Sequence, residues 1–145
     1  MSMTGLSQFD ETIHLTNTWL KELMEELGWE ERHRAYRGLR ATLHALRDRL
    51  SVEAAAHLAS QLPMLVRGFY YEGWAPGRGI VRDKTAEDFV AHVEQAFSQD
   101  PDQNPERIVR AVFDLLSRHV SAGEIDDIKS NLPEPIRALW LEDVR

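Results

Sequence analysis

Apolar residues recur every three or four positions along most of the chain, and this spacing predicts α-helices. The first helix is predicted to end at Gly28, a residue suited to a left-handed C-terminal cap. Its inner face, apolar apart from one threonine, consists of Phe9, Ile13, Thr16, Leu20, Leu23 and Leu27. No segment of the sequence has the strict apolar–polar alternation of a half-buried strand. The pattern therefore predicts an all-α fold of about eight helices.

Capping residues and prolines predict where individual helices begin. The predicted capping pairs are Ser7 with Asp10, Thr85 with Asp88, and Ser121 with Glu124. Further helices are predicted to begin at Ser51, at Pro63, at Asn104 followed by Pro105, and at Pro133. Together these signals divide the chain into two groups of four helices.

The sequence also resembles itself after a shift of about seventy positions. Matching pairs include Arg40 with Arg110, Ser51 with Ser121, Pro63 with Pro133, and Arg67 with Arg137. We expect two tandem four-helix repeats packed into one compact bundle, because a half of about sixty residues would be marginal alone. The predicted organisation is a flexible tail at 1–7 and one helical domain at 8–145. Within that domain we expect repeat one at 8–75, a connector at 76–84 and repeat two at 85–145.

Composition narrows the possible function classes. The 145 residues carry a net charge of -7, which weighs against a general nucleic-acid binder. There is no cysteine, so disulfides, thiolate nucleophiles and cysteine zinc sites are excluded. The first residues lack the basic and apolar regions of a signal peptide, and no apolar run approaches the roughly twenty residues of a membrane span. We therefore expect a cytoplasmic protein that does not associate with membranes.

Motifs for catalysis or metal binding are missing from the sequence. Six histidines are present, and Glu53 with His57 and Asp88 with His92 have the spacing that places an acid and a histidine on one helix face. A metal site needs three or four converging ligands, so we interpret these as exposed acid–histidine pairs. Neither a nucleophile motif nor a phosphate-binding glycine loop occurs. The sequence predicts no catalytic residue, no metal and no cofactor.

The second predicted helix carries a basic stripe beside its apolar face. The stripe comprises His33, Arg37, Arg40, His44 and Arg47. It could bind an acidic or phosphate-bearing partner. It could instead be neutralised within the chain by the acids of the preceding helix, Glu22, Glu25 and Glu26. Because Arg37, Arg40 and Arg67 recur as Arg107, Arg110 and Arg137, we expect them to share a structural role, such as a partly buried ion pair or a bond to helix-end carbonyls.

Aromatic residues stand beside the connector. Tyr70 and Trp74 precede a stretch rich in glycine and proline that also carries Arg78. Tyrosine, tryptophan and arginine are enriched at interaction hot spots, although Trp74 could equally cover the core between the two repeats. The candidate contact residues for a partner or ligand are Arg37, Arg40, His44, Tyr70, Trp74 and Arg78.

One string of residues resembles a known family. It reads Leu62-Pro63-Met-Leu-Val-Arg67-Gly-Phe-Tyr70-Tyr-Glu-Gly73-Trp74-Ala-Pro76, and Lys84-Thr-Ala-Glu-Asp-Phe89 follows it. It resembles the bacterial domain-of-unknown-function family 2267, and the similarity extends from about residue 8 to the C-terminus. The resemblance implies a small, cytosolic, all-helical protein with two similar halves. It implies no activity, cofactor or catalytic residue.

These observations favour a non-enzymatic helical protein that acts through protein–protein contacts or self-association. Two alternatives remain open. One is a small-ligand-binding protein or enzyme whose pocket lies between the repeats, near Tyr70, Trp74 and the basic stripe. The other is binding of a polyanion through the second helix.

Overall fold

Eight α-helices form the part of the chain that the computed structural model describes, residues 3–82, 84–100 and 103–140. They are α1 (Ser7–Leu27), α2 (Arg32–Arg47), α3 (Val52–Ala59), α4 (Met64–Tyr71), α5 (Ala86–Glu94), α6 (Pro105–His119), α7 (Ala122–Ser130) and α8 (Glu134–Arg137). Short 3₁₀ helices follow at Pro76–Arg78, Gln95–Phe97 and Ala138–Trp140. The prediction of an all-α fold of eight helices is confirmed. The first two residues of the predicted tail, residue 83 of the predicted connector, and residues 101–102 and 141–145 of the predicted second repeat lie outside the described residues.

Most predicted helix ends agree with the structure. The side chains of Ser51, Thr85, Asn104 and Ser121 each accept a hydrogen bond from a backbone N–H three residues ahead. Gly28 ends α1 with φ of 71°, the left-handed conformation predicted for it.

The predicted capping pair of Ser7 with Asp10 is wrong. Leu6 occupies the N-cap position of α1 and makes no side-chain capping bond. The Asp10 carboxylate instead accepts hydrogen bonds from the backbone N–H and the hydroxyl of Thr4, at 2.9 and 2.8 Å. The acid therefore holds the residues that precede the helix.

Helices from both halves of the chain share one hydrophobic core. Both α1 and α2 contact α6, and α2 also packs against α4 and α5. Phe113 on α6 lies at the centre of an aromatic group. Its ring stacks on Trp140 with centroids 3.8 Å apart and lies 5.7 Å from Phe89. Burial of these large rings is a major source of stability for a chain of this size.

The crossing of α2 and α6 is unusually close at Gly38. A Cβ atom built on this glycine would lie 3.1 Å from Cγ2 of Ile108, tighter than most carbon contacts. Because glycine has no side chain, α2 and α6 can pack closely at this position.

Candidate functional site

Most residues of the basic stripe of α2 are hydrogen-bonded within the chain. Arg40 donates to the Glu72 carboxylate at 3.2 Å, and Nε2 of His44 donates to the Phe69 carbonyl at 2.6 Å. Arg37 donates to the carbonyl of Ala96 at 3.2 Å. The stripe residues therefore bind two other parts of the chain, the end of α4 and the segment that follows α5.

The acids predicted to neutralise the stripe have other partners. Glu22 accepts from Arg118 and from His119 at 3.3 and 2.9 Å, and Glu26 accepts from Arg118 at 3.0 Å. Among the described residues, Glu25 makes no ion pair with α2. The prediction was wrong about these partners because α1 turns its acidic side toward α6.

The repeated arginines mostly bind carbonyls near helix ends. The bonds run from Arg37 to Ala96, from Arg67 to Ala59 and Leu62, from Arg107 to Glu26 and Leu27, and from Arg137 to Lys129. Arg40 and Arg110 instead pair with Glu72 and Glu106. The expected bonds to helix-end carbonyls are confirmed, whereas the two ion pairs are exposed and not partly buried as expected. A guanidinium suits the first role because the last carbonyls of a helix lack intrahelical donors.

The aromatic candidate residues beside the connector pack in or against the hydrophobic core. Tyr70 is fully buried, and its hydroxyl donates to the Ala55 carbonyl at 2.8 Å. Burial raises the pKa of Tyr70 well above its usual value, so the phenol stays protonated. Trp74 is half-buried and stacks on Tyr71 with ring centroids 5.2 Å apart. Arg78, by contrast, is exposed on Pro76–Arg78.

His44 is expected to make the protein less stable as the pH falls below about 6.5. Burial lowers the pKa of His44 from its ordinary 6.5, against the opposing effect of the bond to Phe69. The unfolded chain therefore binds a proton at a pH where the folded side chain remains neutral, and protonation favours unfolding. In urea titrations at about pH 7.5 and about pH 5.5, His44→Gln should lose less stability on acidification than the wild type does. Equal losses in the two proteins would contradict this assignment.

An apolar groove of about 620 Å³ lies between α1, α2 and α4. Its lining consists of Ile13, Thr16, Asn17, Leu20, Arg32, His33, Tyr36, Leu65, Gly68, Phe69 and Glu72. The hydroxyl of Thr16 is buried in the groove wall and has no hydrogen-bond partner among the described residues. Leu65 in the lining is exposed, and the exposed Phe9 lies one helical turn before the lining residue Ile13. We refer to this surface as the α1/α2/α4 groove.

A second, polar cleft of about 700 Å³ separates α3 from α7. Glu124 of α7 is buried, and its carboxylate contacts Nδ1 of His57, which projects from α3. The predicted pairing of His57 with Glu53 on its own helix is therefore wrong. No cluster of three metal-binding side chains occurs in the described residues. We refer to this surface as the α3/α7 cleft.

Sequence reasoning missed both surfaces as sites. The periodic pattern marked Ile13 and Leu20 as core residues, but it could not show that α4 leaves a groove beside them. The sequence around Glu124 predicted a capping box with Ser121. It contained no signal for the contact between Glu124 and His57. Each surface combines helices that are distant in the sequence.

Comparison with known proteins now adds one finding. The model of a family described as "Uncharacterized conserved protein (DUF2267)" matches residues 16–139. The chain belongs to the DUF2267 family. No curated protein matches the chain. Within the described residues, no helix combines the length and apolar character that a membrane span requires.

The string that resembles DUF2267 has a structural explanation in this member of the family. Pro63 takes the N-cap position of α4, and Gly73 follows the helix with φ of 77°, a conformation that favours glycine. Trp74 then returns to the core against Tyr71. The motif thus builds α4 and the turn after it, one wall of the α1/α2/α4 groove.

Proposed function

We propose that this DUF2267 protein acts through protein–protein contact, and that two copies associate through the α1/α2/α4 groove. The observation that carries the proposal is an apolar groove bordered on the same face by exposed apolar side chains. Phe9 is 48% exposed and Leu65 is 45% exposed. Phe9 lies one helical turn before Ile13, which lines the groove, so the two share a face of α1. Contiguous apolar surface of this kind marks interaction sites.

A second copy is the occupant that this surface fits best. A two-fold interface is self-complementary, so projecting side chains and the groove that receives them must lie on one face. Phe9 and the groove meet that condition. If the two α1 helices run antiparallel about Ile13, Phe9 of each copy lies opposite Asn17 of the other. Arg32 donates to Asn17 at 3.4 Å, so in this arrangement its guanidinium would lie beside Phe9 of the second copy.

Replacing Phe9 with glutamate is expected to weaken self-association strongly. The variant loses the buried ring, and its carboxylate would have to be desolvated in an apolar contact. Together these effects should weaken the free energy of association by about 2 kcal/mol or more, which corresponds to a roughly 30-fold weaker Kd. Light scattering across a concentration series would measure the mass of the wild type and the variant. Val52→Glu is the matched control, because Val52 is 52% exposed on α3 and lies outside the groove. A monomeric wild type, or a dimer that Phe9→Glu leaves intact, would refute the proposal.

We also propose that the chain arose by tandem duplication of a four-helix unit. What supports this is the agreement between positions about seventy residues apart. Ser51 and Ser121 cap α3 and α7 in the same way. Gly38 and Ile108, also seventy apart, meet where α2 crosses α6. Contact between equivalent positions is what a pseudo-two-fold axis between duplicated halves would produce.

Binding of a polyanion remains the weaker alternative. Arg37, Arg40 and Arg47 each donate to partners within the chain, although Nε of Arg37 has no hydrogen-bond partner among the described residues. An anion would have to compete with those partners. The small-ligand or enzyme alternative has a specific observation in its favour, the α3/α7 cleft.

A further inference from the structure

Glu124 does not perform the task that its sequence position predicts. In a capping box the acid accepts a hydrogen bond from the backbone N–H of the N-cap residue. Here the N–H of Ser121 donates to Oε1 of Gln61 at 2.9 Å. Glu124 is 3% exposed and reaches across to His57. Burying a carboxylate is costly unless it is paired, so the contact with His57 needs an explanation beyond capping.

The contact with Glu124 orients the His57 ring. The side chain of His57 is 65% exposed, and Nδ1 is the nitrogen that faces the carboxylate. A neutral imidazole that donates Nδ1–H to Glu124 carries its lone pair on Nε2, which is left open to the cleft. A carboxylate that fixes the tautomer and stabilises the imidazolium formed during reaction is the arrangement that makes a histidine an effective base.

The charges that line the α3/α7 cleft favour an uncharged substrate over an anionic one. Three carboxylates line it, from Glu53, Glu124 and Asp127, and its described lining includes no lysine or arginine. Anionic substrates would be repelled. The hydroxyl groups of Ser60 and Ser130 donate to the carbonyls of His57 and Asp127, so they do not offer their protons to an anion.

We propose that His57 and Glu124 form a general-base dyad that hydrolyses small uncharged esters in the α3/α7 cleft. Nε2 of His57 takes a proton from water while the water oxygen bonds to the ester carbonyl carbon. The bond from that carbon to the alkoxy oxygen then breaks, and the proton passes from His57 to the departing alkoxide. The products are a carboxylic acid and an alcohol. In this step His57 is catalytic and Glu124 is a positioning residue.

Hydrolysis of 4-nitrophenyl acetate tests the proposal. His57→Ala should lower kcat/KM by about 100-fold, the usual contribution of a general base. His14→Ala is the matched control, because His14 is also exposed on a helix but lies outside the cleft. Glu124→Gln keeps the buried volume and should lower kcat while KM stays unchanged. The mono-4-nitrophenyl ester of succinic acid, which carries a negative charge, should be a poorer substrate than the acetate.

A spectroscopic measurement separates positioning from a purely structural role. The ¹⁵N chemical shifts of the His57 ring should show protonated Nδ1 and unprotonated Nε2 in the neutral wild type, and Glu124→Gln should change that tautomer ratio without unfolding the protein. The proposal fails if the wild type hydrolyses the acetate no faster than free imidazole at the same concentration. It also fails if His57→Ala keeps wild-type activity, if the anionic ester reacts equally well, or if Nε2 carries the proton.

Discussion

Replacing Phe113 with alanine is expected to lower the free energy of unfolding by about 3–5 kcal/mol. The ring is 1% exposed and packs between Trp140 and Phe89, which come from opposite ends of the second half of the chain. Removing it takes away buried apolar surface and leaves a cavity that two rigid aromatic neighbours cannot easily fill. Urea titration followed by circular dichroism would measure the loss.

Val52→Ala provides the comparison for Phe113→Ala. It removes apolar atoms from an exposed position on α3 and should change stability by less than about 0.5 kcal/mol. A loss below about 1 kcal/mol for Phe113→Ala would mean that the aromatic group is not the closed core described above.

The second large effect is expected for Arg47→Met. Arg47 is buried, and its guanidinium donates to the carbonyls of Tyr70 and Glu72 at 2.7 and 2.9 Å and to the Asp48 carboxylate at 2.9 Å. Methionine keeps the apolar stem but leaves the Tyr70 carbonyl buried without its donor. Because unsatisfied buried groups and lost charged bonds are costly, stability should fall by about 3 kcal/mol.

Arg40→Met tests whether that loss comes from burial. Arg40 lies on the same helix and pairs with the side chain of Glu72 at 3.2 Å, but both partners are largely exposed. Exposed pairs contribute about 0–1 kcal/mol, so this variant should remain close to the wild type. Equal losses from Arg47→Met and Arg40→Met would contradict the account of Arg47.

Local signals were sufficient to predict the helices of this protein. Ser51 and Ser121 cap helices through a backbone N–H three residues away, an interaction contained within one turn. Ser7 failed as a cap because the neighbouring Asp10 binds Thr4, a local competitor that the capping rule does not consider. The periodic pattern also identified most inward-facing residues, since a helix must bury its apolar side. It was wrong for Phe9, which was predicted on the inner face of α1 and is exposed.

The candidate sites could not be predicted in the same way, because they depend on which helices become neighbours. Glu22 was predicted to lie against α2, yet it pairs with Arg118 and His119 because α1 also contacts α6. His57 and Glu124 are 67 positions apart and meet only after α3 packs on α7. Helical periodicity shows which side of each helix is buried, but it does not identify the helix that covers it.

Disulfide cross-linking tests most directly whether two copies meet at the α1/α2/α4 groove. The chain has no cysteine, so each introduced thiol is unique. Protein carrying Phe9→Cys, mixed with protein carrying Gly68→Cys in the groove lining, should form a covalent heterodimer under mild oxidation. Val52→Cys mixed with Gly68→Cys should form no covalent cross-link under the same conditions. Cross-linking that is equally efficient in both mixtures, or absent from both, would contradict the proposed interface.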